Sequence, residues 1–306
     1  MEKRGNPLVS IITINYNNAA VTCELLKSLE KATYPDFEVI VVDNGSKENP
    51  DIIKEKFKWV TLLKTGKNLG FAGGNNAGFQ VAVGKYFLML NNDTEVAPDF
   101  LEPLVQKLEN DPQVGVVSSK LIYFNSDNII QYAGSSPVNK FTGRSSFIGQ
   151  KEKDSIHYTC DCETNFGHGA AMMIPRKVVE EIGLMADLYF LYYEELDFCE
   201  RIKKAGYKVW FVGQSVVYHK ESMSVGKSSP LKTYYMTRNR LLFMRRNGKG
   251  LSLAFSMFFF TFISMPKNII SFALQRRYDL LKAFLKGYMW NWYNFDIHSN
   301  PKLGNS

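Results

Sequence analysis

Residues 86–96 read YFLMLNNDTEV. Five mostly apolar residues run straight into two amides and a carboxylate, Asn91, Asn92 and Asp93. A run this short and apolar reads as a buried strand with a polar cluster at its mouth. A turn accounts for one Asn or Asp. Three in succession, followed by Thr94 and Glu95, point to something held there. The same grammar recurs upstream. Residues 8–14 are continuously apolar and end in Asn15-Tyr16-Asn17-Asn18; residues 37–42 end in Asp43-Asn44-Gly45-Ser46. Helical spacing over 19–31, 52–58, 75–83 and 99–109 alternates with these runs and with shorter ones at 60–63 and 114–118. Strands alternating with helices predict a doubly wound, mostly parallel sheet. Ligands of such sheets bind beyond the carboxyl ends of the strands, so the three polar clusters converge on one edge.

The chain has 306 residues, 45% of them hydrophobic and 22% charged, enough for one large α/β domain with an appendage. The formal net charge of +7 is uneven. From Lys232 onward basic residues far outnumber acidic ones, with Arg238, Arg240, Arg245, Arg246 and Lys249 in one cluster. That pattern suits a phosphorylated ligand or an acidic membrane surface better than a uniformly basic nucleic-acid binder. Four scattered cysteines exclude a disulfide scaffold, and Cys160-Asp161-Cys162 lacks the spacing of a zinc site. The N-terminus shows no apolar leader ahead of its first strand, so a cytosolic catalytic part is expected.

Between residues 122 and 158 polarity is mixed and Gly, Ser and Asn are frequent, which predicts loops and short strands. Helices are expected at 175–182 and 195–205, strands at 209–212 and 215–218, and helix again from 230 to about 293. Residues 251–265, LSLAFSMFFFTFISM, are uncharged and apolar, then Pro266-Lys267-Asn268 interrupts. The run alone is short for a bilayer span. The preferred reading is a helix lying in the membrane interface, followed by a basic amphipathic segment to 292; a spanning or re-entrant segment and an ordinary packed or dimer-forming helix are the alternatives.

Asp93 is the first candidate for chemistry. One carboxylate grips a divalent cation well when a diphosphate supplies the remaining oxygens. Asp43, at a strand end, can accept hydrogen bonds from a base or ribose, or simply close a turn. Gly70, Gly73, Gly74 and Gly78 permit close backbone approach to a ligand, without forming a phosphate loop or dinucleotide fingerprint. Glu194 and Glu195 precede a helix, where carboxylates are favoured and where a general base would sit on a fixed element. His219 closes the strand SVVYH and is either a satisfied structural residue or a ligand.

Taken together, SIITINYNN, VIVVDNGS, NLGFAGGNNAGF, FLMLNNDTEV, GAAMMIPR, FLYYEELDFCERIKKAGY and YHKESMS, spread over residues 9–247, resemble the inverting family 2 glycosyltransferases of the GT-A fold. The nearest flavour is the bacterial rhamnosyltransferase-like branch that builds surface polysaccharides. The resemblance implies a GT-A catalytic domain over 1–229, with a nucleotide-sugar half to about 118 and an acceptor half from 119, and a helical, membrane-associating extension over 230–306. It implies donor contacts from Asn15, Tyr16, Asn17, Asp43, Asn68, Gly73, Asn76, Asn91 and Asn92, with Arg238 and Arg240 reaching the leaving diphosphate. Asp93 and His219 would hold Mg2+ or Mn2+. Only the last carboxylate of the DxD-type motif is kept, which shifts weight onto His219. His168, Gly169 and Ala170 would face the acceptor, and the base would be Glu195, with Glu194 as the alternative.

The activity so implied is inverting transfer of a sugar from a nucleotide diphosphate, dTDP-L-rhamnose or another such as UDP-GlcNAc, UDP-Gal or UDP-Glc. The acceptor would be a hydroxyl of a glycan or lipid-linked glycan at the cytoplasmic face of the cell membrane, with no nucleic-acid partner and a homo-oligomer possible. Two rivals are a non-catalytic sugar-nucleotide-binding subunit and a nucleotidyltransferase. Retention of Asp93, Glu195 and His219 argues against the first, and the loop Asn-Tyr-Asn-Asn after the first strand against the second.

Overall fold

The computed structural model describes residues 5–220 and 229–304. Residues 221–224 of the YHKESMS stretch lie outside the described residues. Four strands, β1 (Val9–Asn15), β2 (Phe37–Asp43), β3 (Thr61–Lys64) and β4 (Tyr86–Leu90), pair in parallel in the order β3-β2-β1-β4. The second half of the sheet is mixed. It comprises β5 (Thr94–Val96), β6 (Val114–Tyr123), β7 (Ile130–Tyr132), β8 (Cys162–Glu163), β9 (Ala171–Pro175) and β10 (Lys208–His219). Strand β9 runs antiparallel between β4 and β6, and β10 runs parallel to β6 and antiparallel to β5. The two strands expected at 209–212 and 215–218 are one, β10, with a register irregularity between Val212 and Val216. The division of this domain into halves at about residue 118 falls inside β6, so both halves share one sheet.

Helices cover both faces, as alternation demands. On one side α1 (Ala19–Leu29) and α4 (Leu101–Asn110) bury Leu25, Leu26, Leu29, Leu101 and Leu104 against Val9, Ile11 and Val41. On the other, α3 (Gly70–Val81), α5 (Arg176–Ile182) and α6 (Glu194–Lys204) bury Phe79, Val178, Val179, Phe198 and Ile202 against Ile12, Val42 and Met172. Helix α3 starts five residues before the helical spacing suggested. Its glycines serve packing: a Cβ at Gly74 would lie 2.8 Å from Ile14 Cδ1, and one at Gly78 2.4 Å from Ile12 Cγ2. Their absence lets the helix axis approach β1.

Helix α7 (Pro230–Asn247) opens the C-terminal extension, with Ser229 capping it. Helices α8 (Gly250–Phe259) and α9 (Met265–Leu274) join through a π turn at Phe260–Ser264, making one helix, Gly250–Leu274. Pro266 therefore does not interrupt it. A proline ring meets the carbonyl four residues earlier in a regular helix, and the wider π turn just before it relieves that clash. Helix α10 (Tyr278–Tyr293) packs back along α7 and α9. Gly250–Leu274 has the length and composition to cross a membrane, yet only 17% of its apolar window is buried.

Candidate active site

The strand ends do meet. In the parallel register Asn15 lies opposite Asp43, and side chains continue the link. Asn92 donates to Thr22 Oγ1 at 3.0 Å, Thr22 to Asn15 Oδ1 at 2.9 Å, and Asn15 to Asp43 Oδ1 at 2.9 Å. One chain of hydrogen bonds thus ties the mouths of β4, β1 and β2 together. Asp43 is buried, and its other oxygen accepts from the Ser46 amide. Asn17 takes a left-handed φ of 53° and accepts from the Lys47 amide, while Tyr16 is exposed at the rim. Asn68 accepts from the Gly70 amide and from Asn44, fixing the start of α3.

Asp93 meets His219 because β5 pairs antiparallel with the end of β10, setting Thr94 opposite His219. The Asp93 Oδ1 to His219 Nε2 distance is 3.1 Å. On the other side of the ring, Nδ1 lies 2.7 Å from Gln131 Oε1, on β7. An amide oxygen there holds the proton on Nδ1, so the Nε2 lone pair faces a carboxylate oxygen. Two lone-pair donors at that separation fit a shared cation. Among the described residues no cluster of three His, Cys, Asp or Glu forms a full metal cage, so the pair suits a cation that takes its remaining oxygens from a ligand.

Beside this pair, Leu90 of β4 lies opposite Ala171 of β9, and the Asn91 amide donates to Ala170 O at 3.0 Å. This sets His168, Gly169 and Ala170 next to Asn91. His168 packs its ring on Tyr132 and Phe147, with its centroid 6.0 Å from that of His219. Burial, with the neighbouring His219, pushes its pKa down to about 3.

Glu194 and Glu195 start α6 after an unusual approach. Phe190, Tyr192 and Tyr193 all have φ between 62° and 73°, a left-handed region that costs non-glycine residues energy and needs outside support. That support comes from α7. Asn239, fully buried, donates to the carbonyls of Tyr189, Leu191 and Tyr192 at 2.7–2.8 Å. Arg238 Nη2 donates to Leu188 O and Tyr189 O, each at 2.6 Å. Arg238, expected at the donor diphosphate, is thus a clamp on the loop that presents the glutamates. Burial, helped by the charge of Glu195, drives the Glu194 carboxyl well above its ordinary value, and Glu194 Oε2 finds no hydrogen-bond partner among the described residues. Burial also raises Glu195, to about 7.

A cleft of about 760 Å³ contains Asn91, Asp93 and His219, His168 to Ala170, and both glutamates. Asp43, Asn15 and Asn68 do not line it; they occupy the adjoining sheet edge. Two other expected donor contacts lie elsewhere. Asn76 bonds both ways with Met185 and donates to Asp187, and Gly73 faces Leu69 and Asp187. Both are used in seating α3. Arg240 does line the cleft. Sequence reasoning missed Gln131, Asn239 and Arg144. It also missed the far wall, which comes from the C-terminal helices through Lys232, Phe260, Ser264 and Phe284.

Comparison with known proteins identifies the fold and the family. An uncharacterized protein of Sinorhizobium fredii is 28% identical over 80% of this chain, and this chain spans only 28% of its length. The low-salt glycan biosynthesis hexosyltransferase of Haloferax volcanii is 25% identical, over 76% of this chain and 74% of its own. The N-acetylglucosaminyl-diphospho-decaprenol L-rhamnosyltransferase of Mycobacterium tuberculosis is 21% identical, over 79% and 86%. Among solved structures, the mannosyltransferase of Pyrobaculum calidifontis in complex with GDP-Man and Mn2+ superposes with a TM-score of 0.60 at 16% identity, over 95% of this chain and 88% of that one. The fold is GT-A. The model of the family "Glycosyl transferase family 2" matches residues 10–183, more than half of the chain, and the chain belongs to that family.

Proposed function

We propose that this chain is a metal-dependent, inverting glycosyltransferase, with Glu195 as base and Asp93 and His219 as the metal-holding pair. The observation that carries this is the single cleft into which both groups open. Glu195 is the better base of the two glutamates. Glu194 is enclosed and burial drives its carboxyl well above the ordinary value, whereas Glu195 is half-buried and raised to about 7, near neutrality, where a general base is most effective. Glu195 takes the proton from an acceptor hydroxyl. The hydroxyl oxygen bonds to the anomeric carbon as the bond from that carbon to the diphosphate oxygen breaks. The nucleoside diphosphate leaves from the opposite face, and the anomeric centre inverts. Asp93 and His219 would hold a divalent cation, Mg2+ or Mn2+, whose positive charge would stabilise the departing diphosphate. Asn91 and the Asn15–Asp43 edge hold the rest of the donor.

The donor we favour is dTDP-L-rhamnose, supported by the rhamnosyltransferase relative, and the acceptor a glycan or lipid-linked glycan for the cell envelope. The largely exposed apolar face of α8 and α9, flanked by Lys249, Lys267, Arg276 and Lys282, supports peripheral docking on the cytoplasmic leaflet. The test is a panel of nucleotide sugars scored for thermal protection with and without Mn2+, followed by analysis of the released product. One donor should protect only with metal and yield a nucleoside diphosphate. Release of pyrophosphate would establish a nucleotidyltransferase instead, and protection without turnover a binding subunit.

A further inference from the structure

The cleft does not end at the glutamates. It continues to an aromatic wall of Phe260, Phe272 and Phe284 contributed by the C-terminal helices. Phe260 and Phe284 stack with centroids 6.4 Å apart, and Phe272 meets Phe284 at 5.9 Å. Three cations, Arg144, Lys232 and Arg240, line the same cleft. Among the described residues none of them pairs with a carboxylate. Arg240 donates Nε to Thr142 O and lies over the Phe260 ring, 5.1 Å from its centroid. Lys232 lies over Tyr192, 5.9 Å away. Burial, opposed by Tyr193 and reinforced by the charge of Arg144, lowers the Arg240 guanidinium to about 10. Arg144 and Arg240 lie close enough to repel one another, and an anionic ligand relieves that repulsion.

The position of the cations decides which anion. The donor's diphosphate is already provided for by Asp93 and His219. Arg240, over the Phe260 ring, joins the cations to the aromatic wall, so the anion they hold has an apolar substituent. Phe260, Ser264 and Phe272 face the cleft, while Leu251, Phe262 and Leu274 of the same continuous helix are 78%, 65% and 79% exposed. One helix therefore separates the cleft from an apolar surface suited to a bilayer.

We propose that Arg144, Lys232 and Arg240 form a second anion subsite, which binds the phosphate linking the acceptor sugar to a lipid chain. The chain leaves along Phe260, Phe272 and Phe284 toward the outer face of α8 and α9. This rests on the reading of the cleft as a glycosyl-transfer centre and names its acceptor class.

The test is calorimetric titration of the full chain, without divalent metal, using farnesyl diphosphate, inorganic pyrophosphate and farnesol as probes. Farnesyl diphosphate should bind at least about tenfold more tightly than either part alone. Arg144 is exposed, so Arg144→Gln should fold normally and weaken that binding by about tenfold, the equivalent of ~1.4 kcal/mol, while Mn2+-dependent nucleotide-sugar binding stays unchanged. Pyrophosphate binding as tightly as farnesyl diphosphate would make the subsite one for soluble anions and overturn the lipid assignment. Equal binding of farnesol, or no effect of Arg144→Gln, would overturn the anion subsite. Each of these leaves the transferase reading standing if nucleotide-sugar binding persists; loss of that binding in the unaltered chain overturns the transferase reading itself.

Discussion

Replacing Asp197 with Asn should destabilise the protein far more than its small change in shape implies. Asp197 is 1% exposed, on the helix that carries Glu194 and Glu195. Its Oδ1 accepts from Arg246 Nε at 2.9 Å, Asn247 Nδ2 at 2.9 Å and the Tyr189 hydroxyl at 3.2 Å. Its Oδ2 accepts from Arg246 Nη2 at 3.1 Å and Arg201 Nε at 3.3 Å. Burial by itself would raise this carboxyl, but Arg246, Arg201 and Asn247 more than offset it and hold it below the ordinary value. Asn keeps the shape, removes the charge, and turns one acceptor into a donor facing guanidinium donors. Two guanidinium groups, with side chains 4% and 13% exposed, are left without a counter-charge. Breaking a buried pair from one side costs about 3–5 kcal/mol, which corresponds to a drop in Tm of roughly 5–8 °C for a chain of this size.

Urea unfolding followed by circular dichroism, alongside calorimetry, measures this loss. The depressed carboxyl contributes stability above its ordinary pKa and loses it as pH falls through the lowered value. The gap between the two proteins should therefore be full at neutral pH and shrink in acid below the ordinary value of 3.8. A loss under about 1 kcal/mol at neutral pH would refute the reasoning, since only a solvated pair is worth so little.

Other outcomes follow from the same geometry. Because burial raises Glu195 from 4.5 to about 7, kcat/KM should climb as pH increases through neutrality, while folding stability should decline between those two values and level off above the higher one; a flat rate profile between about pH 5.5 and 8.5 would contradict the base assignment. Gln131→Leu removes the acceptor that orients the His219 ring and should weaken Mn2+ binding by about 10–100-fold, read by titration in the presence of the donor; unchanged affinity would remove Gln131 from the site. Asn239→Ala takes a donor from three carbonyls, of which Tyr189 O keeps Arg238, costing roughly 2–3 kcal/mol, and should lower kcat with little change in donor affinity. Equal losses in both would mean a general collapse and not a displaced Glu195.

The parallel half of the sheet was legible because each strand is an apolar run closed by Asn or Asp. That pattern has two physical causes, burial on both faces and an open carboxyl edge, and both survive in the order of residues. Asp93 and His219 were legible as strand-end residues, yet their contact depends on β5 turning back against β10, a pairing of residues more than 120 apart that no local pattern encodes. Gln131 sits in a stretch of mixed polarity whose short strand leaves almost no periodic signal. The glycines of α3 were visible but ambiguous, since a glycine that admits a ligand and one that admits a neighbouring helix look alike. Arg238 shows the same ambiguity for cations: its clustering with other basic residues pointed to phosphate, while the fold uses it to hold strained carbonyls. The apolar helix was plain in composition, but that its inner face walls the cleft required α7 and α10 to be in place.

Catalysis in this cleft requires a proton acceptor standing across from a metal-holding pair. Steady-state transfer and donor binding measured side by side for Glu195→Gln address it most directly. Transfer should fall by at least about 100-fold while donor affinity in Mn2+ is unchanged, and Glu194→Gln, at the enclosed carboxyl that burial raises well above its ordinary value, should lose far less. Near-normal turnover by Glu195→Gln would contradict the central claim.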